Sequence, residues 1–96
     1  MTVLHGGTVT FVFTDIEGST ELLKQLGDGY AEALAEHRRL IRDAFGARGG
    51  QEVDTQGDAF FYCFERARDA VAGAVAAQRA LAEHEWPGAS ALRVRM

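Results

Sequence analysis

Apolar and polar positions alternate along this chain in blocks of short and long period. Thr8 to Thr14 is rich in Thr, Val and Phe and reads as a strand, with Val9, Phe11 and Phe13 on one face. Val12 puts an apolar residue on the other face, which predicts a central strand. Glu17 to about Leu26 carries Leu22, Leu23 and Leu26 at helical spacing, and Gly27-Asp28-Gly29 interrupts it. A longer helix is predicted from about Tyr30 to Phe45, with Tyr30, Leu34, Ile41 and Phe45 on its apolar side and Ala33, His37 and Ala44 on or beside it. Gly46, Gly49 and Gly50 end it.

Gln51 to Thr55 and Ala59 to Phe64 read as two strands joined by a tight turn, in which Gly57 can take positive φ. A third helix is predicted from about Arg66 to Glu83, burying Ala67, Ala70, Val71, Ala74, Val75 and Leu81. So many alanines imply close packing on a sheet. Trp86-Pro87-Gly88 reads as a loop, and Ala91 to Met96 as a half-buried strand with Leu92, Val94 and Met96 opposite Arg93 and Arg95. The order strand, helix, strand, strand, helix, strand predicts an α+β, ferredoxin-like βαββαβ sandwich: an antiparallel sheet with helices on one face. Residues 1–7 read as a leader and 8–96 as one domain.

Composition narrows the function. The net charge of −4 and the lack of a basic stripe disfavour nucleic acid as a partner. A phosphate-rich ligand on so acidic a chain needs divalent cations as intermediaries. The single cysteine, Cys63, forbids an internal disulfide, sits among aromatics as a small core residue, and suits a reducing, cytoplasmic setting. No segment is apolar or long enough to span a bilayer.

The candidate chemistry sits where the first strand stops at an acid: Phe13-Thr14-Asp15-Ile16-Glu17-Gly18-Ser19-Thr20. Strand, acid, glycine turn and helix start make a good seat for a metal-bound phosphate, because the helix start offers unpaired N–H groups to an anion. Gln56-Gly57-Asp58 brings a second acid into the hairpin turn. In a βαββαβ sheet both acids fall at one edge, and a divalent cation relieves their mutual repulsion. Magnesium favours one or two carboxylates plus phosphate oxygens. A plainer reading stands beside this one: Asp15 caps the following helix, Thr14 and Glu17 form a capping box, and Asp58 is an ordinary turn residue. The three histidines are widely scattered, which disfavours zinc.

With Gly50 between them, these two motifs resemble the class III nucleotidyl cyclases, the adenylate and guanylate cyclase catalytic domain, and are most similar to its actinobacterial type. The resemblance implies conversion of ATP or GTP to the 3′,5′-cyclic nucleotide and pyrophosphate, assisted by two Mg2+ or Mn2+ ions. It implies that Asp15 and Asp58 bind both metals and that the Ile16 carbonyl binds one of them. The Glu17-Gly18-Ser19-Thr20 backbone would hold the β- and γ-phosphates, with Gln56 and Gly57 also at the nucleotide. The family usually has a purine-reading lysine four residues before the second acid; here that position is Asp54, which accepts where lysine donates. The family's transition-state asparagine and arginine lie beyond a strand like Ala91-to-Met96, so the resemblance covers the N-terminal part of such a domain. A chain cut short there is expected to have little activity alone and to need a partner, as a homodimer or with a complementing cyclase subunit. Two other readings are a cyclase-like interaction module without catalysis and a relative of the diguanylate cyclases. The last is disfavoured because the hairpin has no Gly-Gly-acid-acid-Phe signature.

Overall fold

The computed structural model describes residues 9–86 and 92–96. Its elements are β1 (Thr10–Ile16), α1 (Ser19–Leu26), α2 (Tyr30–Gly46), β2 (Gln51–Gln56), β3 (Ala59–Phe64), α3 (Ala67–Glu83) and β4 (Val94–Arg95), with a 3-10 turn at Gly27–Gly29. The strands form one sheet in the order β2-β3-β1-β4, every neighbouring pair antiparallel. This is the expected βαββαβ arrangement, with the helices on one face. The leader (residues 1–7), Pro87, Gly88 and Ala91 lie outside the described residues.

Two-residue alternation decides what each strand buries. On β1, Thr14 and Ile16 are buried and Val12 packs against the core, whereas Phe11 and Phe13 are 53% and 63% exposed. On β3, Phe60, Tyr62 and Phe64 point inward while Phe61 joins the outer face, its ring stacked on Phe13 at 4.5 Å. β1 is central in the sheet, as its two apolar faces predict, but its aromatic face is the open one.

Against the inner face, α2 lays a row at four-residue spacing: Ala33, His37, Ile41 and Phe45. Phe45 meets Tyr62 and Phe64 edge-on, at ring distances of 4.8 and 5.4 Å. These rings leave little room for α3, which explains its small residues. The buried row on α3 is Ala70, Gly73, Ala77 and Leu81. A β-carbon added at Gly73 would sit 3.3 Å from Phe45 and 3.4 Å from Phe64. The expected stripe is therefore corrected: Ala67, Val71 and Val75 lie on the exposed side, and Gly73 takes a place a valine could not fill. Gly50 is under similar pressure, because a β-carbon there would stand 2.7 Å from the Phe64 ring and 2.8 Å from the Phe45 carbonyl oxygen.

Arg42 ties α2 to the outer strand β2. Its guanidinium donates to both Glu52 oxygens at 2.8 and 3.1 Å and lies over the Phe60 ring. That donation is the main reason the Glu52 carboxyl is pulled down to about 2. On the far side, the Gln78 amide donates to the Val94 carbonyl at 2.7 Å and joins α3 to β4. The last strand is shorter than expected. Leu92 and Val94 are buried, but the ladder with β1 covers only Val94 and Arg95, and Met96 beyond it is exposed.

Candidate functional site

β1 and β3 run antiparallel with Thr14 opposite Phe60, so the end of β1 lies beside the β2–β3 turn. Gln56 pairs with Ala59 across that turn, leaving Gly57 and Asp58 as its two loop residues, and Gly57 takes φ +56°. A residue with a β-carbon is strained there. The turn aims Asp58 back at β1. Its Oδ2 accepts a hydrogen bond from the backbone N–H of Ile16 at 2.9 Å. The second acid is thereby fastened to the residue that follows the first.

Asp15 is placed by the opposite neighbour. It stands across from Arg95 in the β1–β4 ladder, and the guanidinium donates to Oδ1 at 2.8 Å and to Oδ2 at 3.1 Å. This fork was not visible in the sequence, where Arg95 reads only as the polar side of an alternating strand.

The capping reading of Asp15 does not survive. The N-cap of α1 is Gly18, in left-handed conformation at φ +64°, and no side chain caps that helix. Thr14 faces inward instead, its hydroxyl buried and without a partner. The first bond of α1 runs from the Leu22 N–H to the Gly18 carbonyl, so the N–H groups of Ser19, Thr20 and Glu21 have no intrahelical acceptor. Glu17 differs from its neighbours in the phosphate-binding set, because its N–H is already given to the Arg93 carbonyl at 2.8 Å.

On β2, Asp54 and Gln56 are exposed and joined, Gln56 Nε2 donating to Asp54 Oδ2 at 3.0 Å. Asp54 Oδ1 accepts from the Thr55 N–H at 2.9 Å. Two shallow depressions adjoin on the open face of the sheet. One, of about 290 Å³, contains Asp15 and Arg95; the other, of about 210 Å³, contains Asp54 and Gln56. Phe13, Ala59 and Phe60 line both. A larger hollow, about 850 Å³, lies elsewhere, between the end of α3 and β4, and includes only Glu17 of the candidate residues.

The donors at the end of β1 are carboxylate and backbone oxygens, which suit a hard cation such as Mg2+ or Mn2+. Among the described residues no group of three or more His, Cys, Asp or Glu is gathered as a metal cage. An ion held by these oxygens would bring phosphate oxygens to complete its shell.

Beneath the turn lies a residue that sequence reasoning placed in the core without further role. His37 is fully buried, its ring 5.9 Å from that of Phe60, and among the described residues neither ring nitrogen makes a hydrogen bond of good geometry. Burial pushes its imidazole down from the ordinary 6.5 to about 4; the Leu34 carbonyl and the Asp58 charge oppose the shift, and Arg38 adds to it. Between those two values the unfolded chain binds a proton that the folded chain refuses. The His37 contribution to stability is full above about pH 6.5, falls as pH drops toward 4, and levels off below. The loss attributable to this residue is about 3 kcal/mol. Urea unfolding at pH 7 and pH 4 checks it: His37→Leu should lose less stability over that interval than the wild type, by roughly that amount.

Comparison with known proteins bears on what such an edge does. The sequence profile of the adenylate and guanylate cyclase catalytic domain matches residues 2–83. The chain is 38% identical over 81 residues to an adenylate cyclase of Lachancea kluyveri, covering 84% of this chain and 4% of that protein. It is 42% identical over 78 residues to receptor-type adenylate cyclase B of Leishmania donovani, covering 81% of this chain and 6% of that protein. Among solved structures, a Trypanosoma brucei adenylate cyclase studied in its monomeric state superposes with a TM-score of 0.78 at 37% identity, over 81% of this chain and 33% of that one. The chain thus spans only a small part of these curated relatives.

Proposed function

The chain belongs to the adenylate and guanylate cyclase catalytic domain family, and from that premise we propose that it supplies the metal- and phosphate-binding half of a nucleotidyl cyclase site in cyclic nucleotide signalling. The observation that carries the reading is the bond from the Ile16 N–H to Asp58, which fastens the second acid to the strand end that bears the first. Asp15, Asp58 and the Ile16 carbonyl are the proposed ligands of two Mg2+ or Mn2+ ions. When bound, such ions supply activation of the attacking 3′-hydroxyl and neutralisation of the leaving pyrophosphate. The chain's own residues do the positioning. The N–H groups at the start of α1, which have no intrahelical acceptor, meet the β- and γ-phosphates of ATP or GTP, with Gly18 letting the backbone approach and Ser19 and Thr20 adding hydroxyls. Glu17, its N–H already given to the Arg93 carbonyl, would meet the phosphates only through the rest of its backbone. Gln56 and Gly57 flank the nucleotide from the hairpin, and Asp54 presents an acceptor to the purine edge.

The partner proposed for this half-site is a second subunit, either another copy in a homodimer or a complementing cyclase chain. No described helix is long and apolar enough to cross a membrane, and the proposed setting is cytoplasmic. One observation favours a second reading, a non-catalytic interaction module: Phe11 and Phe13 lie exposed on the open face, their rings in contact with Phe61.

Calorimetric titration with a non-reacting ATP analogue and Mn2+ separates the two. Saturable, metal-dependent binding is expected in the wild type, and Asp15→Asn should weaken it by a factor of ~100 or more, as loss of a charged partner costing about 3 kcal/mol implies. A folded wild type that binds nothing overturns the cyclase reading. A partner interaction indifferent to Asp15→Asn would then identify the module.

A further inference from the structure

The Asp15–Arg95 fork occupies the atoms that the proposed metal would use. Both carboxylate oxygens of Asp15 accept from Arg95, at 2.8 and 3.1 Å. A divalent ion needs at least one of them. Resting on the metal-site reading above, we propose that Arg95 is a positioning residue that gates the site: its guanidinium competes with the divalent cation for Asp15, holding the carboxylate pre-aimed and charge-neutral until the metal displaces it.

Three features support this. The first is register. Asp15 and Arg95 are directly opposed on adjacent strands, so their side chains rise from the same face of the sheet. Contact is built into the ladder and does not depend on a chance rotamer of a long surface side chain. The second is exposure. The side chains of Arg95 and Asp15 keep 65% and 45% of their surface open to solvent, so the pair can be broken from outside without opening the core. A buried pair would block the site permanently; an exposed one can be exchanged. The third is anchorage. Gln78 holds the Val94 carbonyl, and the Arg93 carbonyl takes the Glu17 N–H, so β4 stays in register with the fork open or closed. The moving part is one side chain.

Arg93 provides the control. It is exposed immediately before β4 and carries the same charge, but its side chain makes no such fork among the described residues. Removing either arginine changes the long-range field alike, whereas only Arg95 competes for the carboxylate.

The experiment follows the broadening of the Ile16 amide resonance as Mn2+ alone is added, and takes the midpoint as an apparent Kd. On the scale usual for exposed ion pairs, Arg95→Gln is expected to lower that midpoint roughly two- to fivefold. Arg93→Gln should move it clearly less than Arg95→Gln does, since Arg93 donates to neither Asp15 oxygen and acts only through solvent-screened charge. Arg95→Lys keeps the charge but loses the planar fork, and should shift the midpoint in the same direction by less. Asp15→Asn should abolish the effect in every background. Equal shifts from the two arginine variants, or none from Arg95→Gln, overturn the gate while the metal site stands. Absence of any Asp15-dependent broadening, in wild type and in Arg95→Gln, overturns both the metal site and the gate.

Discussion

Phe45→Ala is expected to cost about 3–5 kcal/mol of folding stability, the cost of emptying a large ring from a packed core. Phe45 has no exposed surface, and its ring closes on Tyr62, Phe64 and the backbone of Gly73. Neither helix can easily move in to fill the space. The α2 backbone is held where Gly50 passes against the Phe45 carbonyl, and α3 is already at contact distance. Against a total of about 5–15 kcal/mol for a domain of this kind, the variant keeps a thin margin, and its Tm should drop by more than ~12 °C. Urea unfolding measures the loss. Val71→Ala is the control on α3: 64% exposed, it should change stability by less than about 0.5 kcal/mol. If instead Val71→Ala cost as much as Phe45→Ala, the helix would be packed on the valine side that its sequence first suggests.

That contrast shows what the sequence reveals and what it hides. The period of each segment is written in the order of its residues, so the strands, the helices and the βαββαβ order were all legible. Which side of a segment faces the core is not always so. On α2 the large apolar residues mark the buried side, and they were placed correctly. On α3 two rows compete, one with valines and one with alanine and glycine. The smaller row wins only because Phe45 and Phe64 fill the space opposite. On β1 both faces are apolar, and the choice between Val12 and Phe13 was settled by which side the helices cover.

The candidate site shows the same division. The end of a strand and a two-residue turn are local features, so Asp15 and Asp58 could be picked out and put at one edge. The fork between Asp15 and Arg95 joins residues 80 apart in sequence and exists only in one register of β1 on β4. Shifting that register by one residue would turn Arg95 to the other face. The buried, unpartnered ring of His37 was hidden for a related reason. Its place on the apolar side of α2 was readable, but the lack of a partner depends on what β3 and the turn bring near it.

Asp58 makes one structural bond and, on the proposed reading, also holds a metal ion; two substitutions should separate the two roles. Its charge is the part a metal ion needs; its Oδ2 is the acceptor that satisfies the N–H of buried Ile16. Asp58→Asn removes the charge and keeps an acceptor oxygen of the same reach. It should weaken binding of the Mn2+–nucleotide analogue by a factor of ~100 or more while changing folding stability by less than about 1 kcal/mol. Asp58→Ala removes both. It should match the binding loss and add about 1–3 kcal/mol of destabilisation, the cost of leaving the Ile16 N–H without a partner. Calorimetry reads the first effect and urea unfolding the second. Were Asp58 only a turn residue, Asp58→Asn would bind as the wild type does and only the alanine variant would show a defect, in stability alone. A binding loss in Asp58→Asn at unchanged stability therefore isolates the carboxylate's charge from its structural bond, and that charge is what a metal-dependent site requires.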